Sequence, residues 1–178
     1  MPELVATPGQ TIGPFFHFAL PYDQDRELVP PGSPGAVRLH GYVYDGDGVG
    51  IPDAMVEIRQ AGPDGVVPRV EGSMRRAGAT FTGWGRSTTD PNGHYWFSTL
   101  EPGGRFVAVT VFARGLLDGL FTRAYLPGSG EDALLGSLSS EDRDRLALLR
   151  EADGSLRFDV HLQGDLETPF LTFPGHGR

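Results

Sequence analysis

Val37-Arg38-Leu39-His40-Gly41-Tyr42-Val43-Tyr44 alternates at a period of two and runs into Asp45-Gly46-Asp47-Gly48. Alternation sends successive side chains to opposite faces of a pleat, and an Asp-Gly cluster ends it in a turn, so this stretch reads as a half-buried strand with its exit. The same grammar repeats outward. Ala54 to Gln60 forms a second strand closed by Gly62-Pro63-Asp64-Gly65, and the turn at Asp90-Pro91-Asn92-Gly93 opens into His94 to Thr99, where aromatic and β-branched residues dominate. Phe106-Val107-Ala108-Val109-Thr110-Val111-Phe112 is apolar on both faces and is expected as a central strand buried between two layers. Leu120 to Leu126 follows and stops at Pro127-Gly128. Ser139-Ser140-Glu141-Asp142 has the spacing of a capping box, which predicts a short helix near 139–145. Asp153-Gly154 turns a last hairpin between Leu146–Glu151 and Ser155–Gln163, although Leu146 to Leu149 can equally continue the helix. The sum is an all-β chain: a β-sandwich of about seven to eight mostly antiparallel strands with one or two short helices.

Residues 1–36 are written differently. They are rich in Pro and Gly and carry Phe15, Phe16, Phe18 and Tyr22 without alternation, so they read as an extended arm, with 37–178 as the single sandwich domain. Disordered segments are poor in aromatics, so this arm needs a surface to lie on. Over the whole chain, 26 Gly and 15 Pro among 178 residues favour short strands and turns over long helices. A formal charge of −8 leaves no footprint for nucleic acid or an anionic membrane. All 15 basic residues are Arg, which excludes lysine nucleophiles and Schiff bases, and the absence of Cys excludes thiol catalysis, disulfides and thiolate metal sites. The chain opens Met1-Pro2-Glu3 without a basic or apolar run, and the reading is a soluble, cytoplasmic protein.

Chemistry must come from His, Tyr, Arg and the carboxylates. His40, Tyr42 and Tyr44 share one strand face and could offer an imidazole and two phenols to a hard metal ion, but ordinary strand composition accounts for them as well. His94 and Tyr95 are neighbours on a strand and point to opposite faces. His161 and His176 stand apart, and no two His are close enough in sequence to make a local ligand pair, so no metal site is expected within this chain. Arg69, Arg75 and Arg76 form a short basic cluster that could meet an anionic ligand, and a solvated loop explains it just as well. Arg123, between Phe121 and Tyr125, is expected to be partly buried, which requires an anionic partner, either an internal ion pair or a ligand.

Several segments, in order, resemble the intradiol ring-cleavage dioxygenases: Thr7 to His17, Gly41 to Asp45, Ile51 to Ala61, Phe81 to Arg86, Thr89-Asp90 through His94-Tyr95, Phe112 to Gly115, Thr122 to Tyr125 and Leu162-Gln163-Gly164. The match spans nearly the whole chain. Catalytic members of that family hold Fe(III) with two Tyr and two His. By the resemblance, Val67 stands in place of the first Tyr, the loop for the second is missing at Gly103-Gly104, and Phe106 and Ala108 occupy the two His positions. None of these can ligate iron.

The resemblance is therefore to the metal-free alpha subunits of the family's heteromeric members. It implies a partner, the beta subunit, that bears the Fe(III), and a shared reaction: cleavage of protocatechuate by dioxygen to 3-carboxy-cis,cis-muconate. It also implies that Thr11, Gly13 and Pro14 of the arm, together with Arg123, complete the substrate pocket of the beta subunit, with the partner as the surface the arm needs. The competing expectation is a stand-alone, transthyretin-like β-sandwich binding module without enzymatic activity, which would have no use for an exposed aromatic arm. A third, a new metal site at His40, Tyr42, Tyr44 and His94, rests on strand spacing alone.

Overall fold

A computed structural model describes residues 18–69 and 80–173. Two sheets face each other. The first has the order β4-β1-β8-β7, made by β1 (Ala36–Tyr44), β4 (His94–Leu100), β7 (Leu149–Arg150) and β8 (Leu156–Arg157), with β9 (Val160–His161) also paired to β1. The second has the order β3-β2-β5-β6, from β2 (Met55–Arg59), β3 (Trp84–Thr88), β5 (Phe106–Phe112) and β6 (Leu120–Tyr125). Between these strands the pairings are antiparallel except those of β1 with β8 and β9, which are parallel. The all-β sandwich read from the sequence is the fold observed, with nine strands among the described residues.

The period of two in β1 becomes its two faces. Leu39, Gly41 and Val43 turn inward, while Arg38, His40, Tyr42 and Tyr44 line the outer face. On β4, Tyr95 and Phe97 enter the core and His94 points outward, as neighbouring strand positions require. The expectation for β5 needs correction. Val107, Val109 and Val111 are buried, but Phe106, Ala108, Thr110 and Phe112 are only partly so. The sheet is covered on one side, and on its other face Phe106, Ala108 and Phe112 lie partly exposed among charged neighbours such as Arg59 and Arg123.

Gly41 lies at the closest approach in the first sheet. A Cβ added there would sit 1.8 Å from the Phe158 carbonyl oxygen, and that oxygen accepts a 2.5 Å hydrogen bond from the buried Tyr95 hydroxyl. Beside it, the chain bends between β8 and β9, and the Asp159 carboxylate takes the place of a ladder carbonyl by accepting from the Tyr42 N–H at 3.0 Å. Only a residue without a side chain lets these strands meet.

Part of the arm belongs to the sandwich itself. Arg26 C=O accepts from Ser98 N–H at 3.0 Å and Leu28 N–H donates back to Ser98 O at 2.8 Å, while Asp25 C=O accepts from Arg86 N–H at 2.9 Å. One short segment thus laces β4 of the first sheet to β3 of the second. Leu28, 2% exposed, fills the core beside Gly85 and Phe97. The strand β3 itself is not evident from the sequence, because its inward residues are Gly85 and Ser87 and the apolar bulk that covers them comes from Leu28. Two short helices precede the last strands: α1 (Ala133–Ser137), capped by Asp132, and α2 (Ser140–Arg145), capped by Ser139 as its spacing predicts. Among the described residues no helix is long and apolar enough to cross a membrane.

Candidate functional site

The outer face of the second sheet gathers the residues that the sequence singles out. Arg123 on β6 lies opposite Ala108 on β5, and Phe106 lies opposite Tyr125. The Arg123 guanidinium sits 4.3 Å from the centre of the Phe106 ring, a cation–π distance. Its Nη1 donates to Asp132 Oδ2 at 3.1 Å and to the Tyr125 hydroxyl at 3.3 Å. Tyr125 in turn donates to Asp132 Oδ2 at 2.9 Å, and Asp132 Oδ1 accepts from the Leu134 and Leu135 N–H groups, both at 3.0 Å, which caps α1. Burial alone would raise the Asp132 carboxyl, but the Leu135 amide, the Tyr125 hydroxyl, the Leu134 amide and the Arg123 charge outweigh it and hold it below the usual carboxylate range. Burial pushes the Tyr125 phenol upward, which keeps it a donor.

Arg123 therefore has the anionic partner that its setting demands, and that partner is internal. Asp132 was not singled out from the sequence. The available signal was a capping Asp before Ala133-Leu134-Leu135, too short a run to read as a helix.

Arg59 stands opposite Ala108 on the same face and donates to the Pro68 carbonyl at 3.2 Å, which ties down the loop that carries Val67. Val67, Phe106 and Ala108, the positions that the resemblance gives to iron ligands, thus belong to one region around β2 and β5. Their donor chemistry does not fit a ferric ion, since a valine, a phenylalanine and an alanine offer no lone pair, and Arg123 brings a positive charge over Phe106. Thr11, Gly13 and Pro14 lie outside the described residues, as do Arg75, Arg76 and His176.

The outer face of the first sheet carries His40, His94 and His161, the imidazoles of the described residues. His161 stacks on Tyr44 (4.9 Å between ring centres), Tyr42 stacks on Tyr44 (5.7 Å) and packs against His94 (5.0 Å), and His94 lies 5.6 Å from His40. His40 Nε2 bonds to Glu151 at 2.9 Å. Sequence spacing brings these rings together, and the sheet adds His94 and His161. Among the described residues no group of three or more His, Asp or Glu is arranged to hold a metal ion.

Burial, then the charges of Arg38 and His40, lower the His94 imidazole below its ordinary 6.5. Burial, then Arg145, lowers His161 from the same value. The folded chain therefore takes up these protons less readily than the unfolded one. The stability that these two imidazoles contribute is complete above about pH 6.5 and declines as pH falls from there through the lower folded-state values. The thermal midpoint is expected to drop between about pH 7 and pH 5, and a His94→Gln chain to show a shallower drop. Equal slopes by calorimetry would remove His94 as a source.

These two sheets define a class before they define a protein: the fold is that of the dioxygenase domain of a dioxygenase–carbohydrate-binding fusion from Streptomyces sp. SirexAA-E, matched with a TM-score of 0.56 at 22% identity over 89% of this chain and 98% of that one. No family-wide sequence profile matches the chain. It is 34% identical to the protocatechuate 3,4-dioxygenase alpha chain of Burkholderia cepacia, over 96% of this chain and 99% of that one. It is 30% identical to the alpha chain of the same name from Pseudomonas putida, over 96% and 98%. The chain belongs to the protocatechuate 3,4-dioxygenase alpha-chain family of intradiol dioxygenases. That membership makes it an oxidoreductase subunit and does not favour the stand-alone binding-module reading.

Proposed function

We propose that the chain is the alpha subunit of a cytoplasmic, heteromeric protocatechuate 3,4-dioxygenase, and that the Fe(III) belongs to the beta subunit. In this reading it completes the beta subunit's pocket with Thr11, Gly13, Pro14 and Arg123. The observation that carries the proposal is the face formed by β5 and β6: positions that the family uses for metal ligands hold Phe106 and Ala108, overlain by a guanidinium. A face of this kind cannot activate a catechol unaided, but it can present a cation to an aromatic acid held by a neighbour. Gly13-Pro14 would supply a rigid apolar wall against the ring of the substrate.

The test is expression of the chain alone and together with the beta chain of its own host. Alone, it should be colourless, iron-free and inactive; together, the two should copurify in equal amounts with bound iron and protocatechuate-dependent oxygen uptake. Turnover by the chain alone, or no complex with the beta chain, overturns the proposal. Within the assembled enzyme, Arg123→Ala should raise KM for protocatechuate through the loss of a charge-assisted contact of about 1.5–3 kcal/mol, or roughly 10- to 150-fold. Unchanged steady-state kinetics would take Arg123 out of the pocket.

A further inference from the structure

Arg123 is held from one end. Its Nη1 makes both of its hydrogen bonds, to Asp132 and Tyr125, while Nε and Nη2 donate to nothing among the described residues. The side chain is 31% exposed, against 18% for Asp132. The Phe106 ring supports the flat guanidinium from one side. Such an arrangement removes the rotational freedom of a long side chain before any ligand arrives, and it leaves a pair of donors spaced to grip a carboxylate in two-pronged fashion.

Asp132 does two things with one carboxylate. Oδ1 caps α1 and Oδ2 takes Arg123 and the Tyr125 hydroxyl, so the guanidinium is referenced to the backbone of a helix instead of to another mobile side chain. We infer that Asp132 is a positioning residue that, with Tyr125 and Phe106, fixes the free edge of Arg123 for the carboxylate of an aromatic acid, and so sets the preference for carboxylated over plain catechols. This inference rests on the reading of Arg123 as a pocket residue. It adds the device that makes an already ion-paired arginine selective: the pair uses one nitrogen and aims the others.

The experiment uses the assembled enzyme and compares Arg123→Ala, Asp132→Asn and Tyr125→Phe on protocatechuate and on catechol, which lacks the carboxylate. Asn is as good a helix cap as Asp, so Asp132→Asn keeps the cap of α1 and removes the charge that aims the guanidinium. The expected result is a KM for protocatechuate raised about tenfold, a kcat that changes far less, and a protocatechuate-to-catechol preference that falls by a similar factor. Tyr125→Phe should lower the preference in the same direction by a smaller factor, and it keeps the test open should the Asn chain fail to assemble. If Arg123→Ala raises KM while Asp132→Asn and Tyr125→Phe do not, Asp132 is a helix cap only and the inference is overturned. If none of the three moves KM, the pocket role of Arg123 fails and the inference goes with it.

Discussion

Gly41→Ala is expected to destabilise the chain by roughly 3 kcal/mol or more, the far end of what overpacking does. The new methyl would stand 1.8 Å from the Phe158 oxygen and 2.6 Å from its carbonyl carbon, which is backbone and cannot swing away as a side-chain tip can. Relief requires β1 to part from residues 156–161, which strips the Tyr95 hydroxyl of its acceptor and opens the ladder bond from Phe158 N–H to His40 O. Urea denaturation reads the effect directly. A midpoint within experimental error of the parent chain would mean that the approach of β1 to Phe158 is looser in solution than its geometry describes.

Leu28→Ala should cost about 2–5 kcal/mol, the range for emptying a buried leucine site. Its importance lies in where the side chain comes from. Leu28 is in a Pro- and Gly-bordered stretch that reads as arm, yet it packs against Gly85 and Phe97 and belongs to the main core. Its loss should also release the lacing segment, so that trypsin cuts after Arg26 faster in the variant than in the parent. Unaltered denaturation and proteolysis would show that residues 25–29 add nothing to the sandwich.

The strands that could be read from the sequence are those whose partners share their period. β1 and β4 alternate, and their register carries that alternation straight across, Leu39 facing Phe97 and His40 facing Trp96. The elements without such a signature depend on remote chain. β3 is a strand because Leu28 supplies the bulk that Gly85 lacks. β5 looks doubly buried because Phe106, Ala108 and Phe112 are apolar, and whether a second layer covers them is a property of the rest of the chain and not of the strand. The site shows the same division. Arg123 drew attention through its flanking aromatics, whereas its partner Asp132 is nine positions away across a turn with no periodicity to announce it. Phe106 and Ala108 share a face by their spacing along β5, and only the fold brings Arg123 of β6 beside them.

The parallel pairing of β1 with the last strands has a bearing on biosynthesis. Tyr42 and Asp159, which join across that seam, are 117 positions apart, so one flank of β1 has no neighbour until residues 156–161 have left the ribosome. During that interval β1 presents an open edge with bare amides and carbonyls, the kind of edge on which newly made chains stick to one another. Residues 156–161 thus act as a late clasp, and a translation product stalled before them would be left with the first sheet open at β1, an inner strand, and not at its margin.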